Sequence, residues 1–264
     1  NPALAECDYK TIVMASLLGE SLKLSPSPQL GQFYLVPFND TKNNRKVAQF
    51  ILGYKGLIQL AIRSGQYNDL DVIAVKEGEF IGIDEETGKP LVRFISDYNK
   101  RLNTPTIGYF AYFKLLNGFR KSIFWTKEQM EIYTDKYSKA FSLLSTKKKI
   151  NGSWKTLVSY EDYKAGNYDK QDDWLYSSFW YKQFDDMAFK TMLRQLISKW
   201  GIMSIEFQTA FGSDMAVIND NGQPVYIDNA ENHEIPNNQA IEQIEQQIEQ
   251  QEEQQKEVKD PFND

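Results

Sequence analysis

The sequence predicts an α+β fold: a small antiparallel sheet and hairpins packed with helices, including one long C-terminal helix, then an acidic, disordered tail. Three observations predict it. Short β-branched and aromatic runs alternate with turn residues between 32 and 125. Helical periodicity dominates 178–200, and composition shifts abruptly after 211. A hydrophobic content of 41% and an aromatic content of 14% over 264 residues suffice for a packed core.

In chain order, residues 8–22 (DYKTIVMASLLGESL) read as a helix capped by Asp8, with Ile12, Val13, Leu17 and Leu18 toward a core. Two prolines keep 24–30 (LSPSPQL) irregular. QFYLVPF and KVAQFILGY read as strands joined by the polar turn NDTKNN, and KGLIQLAIRSG as a short helix ended by Gly65. Strands are expected at 70–76, 79–83, 91–95, 106–116 and 119–125. The last two flank Asn117-Gly118, a hairpin dipeptide whose two residues must accept positive φ. Thr126 and Gln129 form a capping box for the next helix. Residues 142–172 read as an extended or loop-rich insertion, with KKK at 147–149.

A long helix is expected from Ser178 to Trp200, closed by Gly201. Steps of 100° place Trp180, Phe184, Met187 and Ala188 on one apolar face, and Phe189, Leu193, Leu196 and Trp200 on another. Asp186, Lys190 and Arg194 form a polar stripe between them, so the helix is sandwiched. Beyond it, 212–240 are rich in Asn, Asp and Pro, and 241–257 are low in complexity. Ile241, Ile244 and Ile248 span barely two heptads, too few for a coiled coil. The expected division is a folded core over 1–211 and a disordered tail over 212–264.

The net charge of -6 hides an asymmetry. Residues 212–264 carry 2 basic against 13 acidic groups, whereas 89–155 carry 14 basic against 4 acidic. A basic body suits phosphate binding, since each neutralised phosphate releases counterions. No apolar run reaches the length of a membrane helix. The chain opens at Asn1 with no initiator Met and no charged-then-apolar leader, which gives no visible signal peptide and suggests that residues precede it. One cysteine, Cys7, and one histidine, His233, supply neither a disulfide framework nor a zinc site, and point to a reducing cytoplasm.

There is no P-loop, no G-x-G-x-x-G and no H-E-x-x-H, and the lone histidine lies in the tail. Neither ATP nor another cofactor is therefore expected, with magnesium at most a counterion for DNA. A metal-dependent nuclease stays open as an alternative. It would use Glu161, Asp162 and Lys164, or the pairs Asp172-Asp173 and Asp185-Asp186. Such spacing is common, and Asp186 could simply pair with Lys190 one turn on.

What remains is cations interleaved with aromatic rings: YFAYFK ending at Lys114, FRKSIFW at 119–125, Lys136-Tyr137 and Trp180-Tyr181-Lys182. Single-strand binders combine a positive groove with stacking faces. Within 109–114, Tyr109, Ala111 and Phe113 share one face and Phe110, Tyr112 and Lys114 the other, and one face must be core. A protein that only coats and protects single strands would show the same pattern.

The blocks LLGESLKLSPSPQLGQFYLVPF, FILGYKGLIQLAIRSGQY, YFKLLNGFRKSIFWTKEQME and DDMAFKTMLRQLISKWG, in this order, resemble the RecT family of phage and prophage recombinases. The resemblance covers about 1–211. It implies an ATP-independent single-strand annealing protein that oligomerises into rings or helical filaments and holds DNA in a basic groove. The DNA would be single strands and the annealed duplex. It further implies a phage exonuclease and the host single-strand binding protein as partners, in the bacterial cytoplasm. Carried onto this chain, the matching cations are Lys55 and Arg63, then Arg120, Lys121 and Lys127, then Lys190 and Arg194. Lys114 and Lys182 join them through the aromatic interleaving, and Lys147, Lys148 and Lys149 through charge alone. Lys-Asp-Pro-Phe at 259–262 is loosely similar to the acidic tips of bacterial single-strand binding proteins.

Overall fold

The computed structural model describes residues 2–150 and 153–227, with the side chains of 149 and 150 outside the described set. Asp8 caps the first helix, α1 (Tyr9–Ser21), accepting the Lys10 N–H at 3.1 Å. The helix does not bury the face its large residues suggested. Thr11, Ala15 and Gly19 are buried, while Val13 and Leu17 are 49% and 56% exposed. The small face wins because it allows close approach. Thr11 Oγ1 accepts the Ala48 N–H at 2.9 Å, and a Cβ on Gly19 would lie 2.3 Å from the Phe33 ring.

The two strands expected next form an antiparallel pair, β1 (Phe33–Asp40) and β2 (Arg45–Leu52). Phe33 and Phe50 stack between them, ring centroids 5.1 Å apart. Helix α2 (Tyr54–Arg63) follows at once and ends with Gly65 at φ 68. Its start is pressed against the loop before β1. A Cβ on Gly56 would sit 2.1 Å from the Gln32 carbonyl oxygen, a backbone atom that cannot swing away. Gly56→Ala is expected to cost about 1–3 kcal/mol, the range for overpacking, read as a lower urea midpoint. An unchanged midpoint would mean that this loop yields freely.

Strands β3 (Tyr67–Lys76), β6 (Thr106–Leu115) and β7 (Arg120–Thr126) build one antiparallel sheet in the order β3-β6-β7. Between β3 and β6 the chain makes the small hairpin β4 (Phe80–Ile83) and β5 (Pro90–Val92), then a short helix, α3 (Tyr98–Asn103). That helix falls in a stretch for which no element was expected. Central strand β6 buries Tyr109, Ala111, Phe113 and Leu115, the core face required by alternation. The β6–β7 connection spans three residues rather than two. Leu115 and Phe119 close it, and only Gly118 takes positive φ, at 88. Asn117 keeps negative φ and uses its side chain to accept the Phe119 N–H at 3.0 Å.

Thr126 and Gln129 form the expected capping box at the start of α4 (Lys127–Tyr137). The segment read as extended or loop-rich is largely regular: a hairpin of β8 (Thr146–Ile150) and β9 (Ser153–Leu157), a helix α5 (Tyr160–Ala165) and a 3-10 turn (Lys170–Tyr176). The expected long helix is broken at Gln183, with φ -144 and ψ 57, into α6 (Phe179–Lys182) and α7 (Phe184–Trp200). The break lets Tyr181 and Phe184 both reach Phe141, at 5.2 and 6.1 Å between centroids. Helix α7 packs across β3, β6 and β7, and also meets α2.

The compact unit continues past the expected boundary at 211, to Val225. After α8 (Ile205–Ser213), Met215 and Ala216 bond with Phe50 of β2, at 2.8 and 2.9 Å. The short pair β10 (Val217–Ile218) and β11 (Pro224–Val225) ends the unit, with Val217 and Ile218 buried. Residues 226–264 form a second unit, of which only 226 and 227 are described. The expected disorder of the tail, its heptads and its Pro-Phe tip therefore lie outside the described residues.

Candidate nucleic-acid interface

The expected DNA-contacting cations fall into two groups. The first stays at the surface. Lys114 and Arg120 are direct cross-strand partners beside the β6–β7 connection, and both side chains are exposed. Among the described residues neither has a carboxylate within ion-pair distance, although Asp69 of β3 is the other strand partner of Lys114. Lys121, next on β7, lays its ammonium 4.8 Å from the centre of the Trp200 ring. Lys127 begins α4 at the other end of β7, about 20 Å away at the usual rise per strand residue. Lys55 is exposed in the first turn of α2, and Lys147 is exposed on β8.

The second group is engaged by the protein's own groups, Lys190 and Lys148 turned inward and Arg63 and Lys182 at the surface. Lys190 is only 4% exposed and places Nζ 2.8 Å from Asp214. Burial pushes its ammonium pKa down, against the pull of that carboxylate. Arg194 donates to the other Asp214 oxygen at 2.9 Å and lies 3.9 Å over the Phe211 ring. The polar stripe of α7 is therefore an internal clamp, and the partner of Lys190 is Asp214, not Asp186. Arg63 donates to the Leu22 and Lys23 carbonyls at 2.6 and 3.2 Å, tying α2 to the end of α1. Lys182 holds both oxygens of Asp173 at 3.0 Å. Lys148 turns inward to the Lys139 and Phe141 carbonyls at 2.9 and 2.8 Å, and burial lowers its pKa. The Lys149 side chain lies outside the described residues.

The aromatic residues sort the same way. Tyr109, Phe113, Trp180 and Tyr181 are core. Phe124 stacks on Phe80 at 4.3 Å, and Trp125 meets Tyr133 at 5.1 Å. The sequence reading missed Trp154, which is 71% exposed on β9. It shares the outward face of the hairpin with Lys147, because their positions alternate with those of Lys148 and Lys155. The available signal was Asn151-Gly152, the same dipeptide as 117–118, set between TKKKI and SWKTL.

The acidic residues considered for a nuclease are dispersed. Asp172 pairs with Lys155, Asp173 with Lys182, and Asp162 bonds the Ser159 hydroxyl at the start of α5. Asp185 accepts the Tyr109 hydroxyl at 2.6 Å, and Lys164 reaches Glu131 instead. Among the described residues no three His, Cys, Asp or Glu side chains converge as metal ligands. Among them, too, no helix is long and apolar enough to cross a membrane.

The family profile described as RecT family matches residues 1–235. The chain is 35% identical over 208 residues to the uncharacterized protein YqaK of Bacillus subtilis (strain 168), covering 78% of this chain and 57% of that protein. It is 31% identical over 219 residues to Protein RecT of Escherichia coli (strain K12), covering 81% of this chain and 65% of that protein. The chain thus spans under two thirds of the length of these two relatives. With a profile match over most of its length and two relatives above 30% identity, this chain belongs to the RecT family.

Proposed function

We propose that this protein anneals complementary single strands of DNA in phage-type recombination, without ATP and without cutting the strands. The observation that carries this reading is the Lys114–Arg120 pair. Like charges directly opposite one another in a sheet are destabilising, and among the described residues no carboxylate comes within ion-pair distance of either. A polyanion supplies the missing counter-charge, and two phosphates of an extended strand suit two cations on adjacent strands. Lys121, the next residue on β7, points to the other face of the sheet, over Trp200, and is not part of this pair. Exposed Trp154, with Lys147 on the same face, offers a stacking platform in addition.

No nucleotide hydrolysis is needed because pairing is itself downhill, by about 1.4 kcal/mol per stacked step. What slows annealing is repulsion between strands, internal hairpins and the search for register. Contacts made to phosphates relieve the first and hold the strand extended, with little sequence information in them. The same reading has the protein act as a homo-oligomer along the strand, in the bacterial cytoplasm. A phage exonuclease would expose the strands, the host single-strand binding protein would meet them, and magnesium would serve only as a counterion.

The test mixes the protein with two complementary oligonucleotides, without ATP and with magnesium, following duplex formation by fluorescence and strand length on a gel. Faster pairing of intact strands is expected. Lys114→Ala with Arg120→Ala should lower the salt slope of DNA binding by about two, one for each phosphate contact, with no fall in melting temperature. Shortened strands would sink the reading in favour of a nuclease. Tight binding without faster pairing would reduce it to passive coating.

A further inference from the structure

Strand β7 lies at the end of its sheet and pairs with β6 on one side only. Successive side chains along it point to opposite faces. Arg120 stands with Lys114 on one face. Lys121 is the strand partner of buried Phe113 and so lies on the other, the face across which α7 packs. There it meets the last turn of α7, which ends at Trp200. Lys121 and Lys199 each place Nζ 4.8 Å from the centre of the Trp200 ring, so the two ammonium groups stand no more than twice that distance apart.

This second set of cations lacks counter-charge as the first does. Among the described residues neither Lys121 nor Lys199 has a carboxylate within ion-pair distance. Lys199 is exposed, and Lys121 and Trp200 are partly so. The carbonyl end of α7 offsets some of the charge, but a helix terminus carries about half a unit against two full ones. The ring holds the ammonium groups by cation–π attraction, which at a surface is weak beside a charge-assisted bond to a phosphate. Trp200 thus gathers two cations and leaves both able to bind an anion.

We propose that Lys121 and Lys199, gathered on Trp200, hold a second single strand of DNA by its phosphates, on the opposite face of β7 from the strand held by Lys114 and Arg120. The inference rests on the annealing reading and adds to it where the second strand sits. Pairing needs two strands close together, and their phosphates repel. The two faces of β7 are separated by one sheet layer, about 10 Å. Screening by physiological salt reaches only about 8 Å, so strands that near each need their own cations. The unpaired edge of β7 lies between the two sites, with no further strand to divide them. The carbonyl end of α7 makes the second site the weaker one.

The test coats a biotinylated oligothymidylate with protein, washes away the excess, and measures capture of a second, fluorescent oligothymidylate, which cannot pair with the first. Wild type should capture it. Lys121→Gln with Lys199→Gln keeps most of each stem against the ring and removes both charges. This variant should coat the first strand with unchanged affinity and salt slope, which also shows that it is folded. It should capture about a tenth or less of the wild-type amount of second strand, and no longer speed pairing of complementary strands. Absence of capture by coated wild type would overturn the proposal, as would capture that survives the glutamine pair. A first-strand salt slope lower by about two in that variant would overturn it as well, since one strand would then run over both faces. Failure of wild type to coat the first strand would instead sink the single-strand reading, and this inference with it.

Discussion

Asp214→Ala is expected to destabilise the protein by about 3–5 kcal/mol, the cost of removing one partner from a buried ion pair. The Asp214 carboxylate accepts from Lys190 at 2.8 Å, from Arg194 at 2.9 Å and from the Leu52 N–H at 2.9 Å. It therefore ties α7 and the end of α8 to β2. Its loss leaves an ammonium that is 4% exposed with no counter-charge, and an amide without its acceptor. Urea unfolding measures this directly. Lys190→Met combined with Asp214→Asn removes both charges and should recover more than half of the loss. A single-variant cost under about 1 kcal/mol would mean that Lys190 escapes to water. The same geometry separates structure from DNA binding: Lys190→Ala should lower the melting temperature and leave the salt slope of DNA binding unaltered.

Glu79→Ala should cost about 3 kcal/mol, concentrated in the β4–β5 hairpin and α3. Glu79 is 0% exposed and accepts the Lys76 and Ile95 N–H groups at 2.8 and 3.0 Å and Arg101 Nε at 2.6 Å. Arg101 also donates to the Ala74 carbonyl at 2.8 Å, so one ion pair joins β3, the hairpin and α3. Burial alone would raise the Glu79 carboxyl, but Arg101 and the two amides outweigh it and hold the pKa below the ordinary value. A carboxylate lowered on folding stabilises fully above its unfolded pKa of about 4.3, and that share is lost as pH falls through the lower folded value. The stability gap between wild type and variant should therefore narrow below about pH 4. Hydrogen exchange in 76–103 should rise in the variant at neutral pH. A gap that stays constant down to pH 3 would remove Glu79 from the account of acid stability.

Much of the fold is legible in the sequence because its signals are local. Asp8 and the Thr126/Gln129 box mark helix starts through bonds made within three residues. Gly65 marks a helix end, and the alternation through 109–114 divides the central strand into two faces, of which packing chose the one with Tyr109 for the core. The hairpin of β8 and β9 has the equally local signal Asn151-Gly152, though 142–172 read only as an extended or loop-rich insertion. The elements that were misread depend on distant partners. Helix α1 buries Ala15 and Gly19 because β1 and β2 come close enough to reject larger groups there, and no periodicity encodes that distance.

The candidate site divides along the same line. The sequence by itself determined the family, the basic body with its acidic end, and the list of cations from which a DNA surface could be drawn. Only the tertiary structure decided which of those cations remain available. Lys190 and Arg194 look like a polar stripe until Asp214, twenty residues beyond Arg194, closes over them. Lys114 and Arg120 look unremarkable until strand pairing sets them opposite one another. The physical reason is that a charge type is a property of one residue, whereas its neutralisation depends on a neighbour chosen by packing. A lysine is written in the sequence; its counter-ion is chosen by the fold.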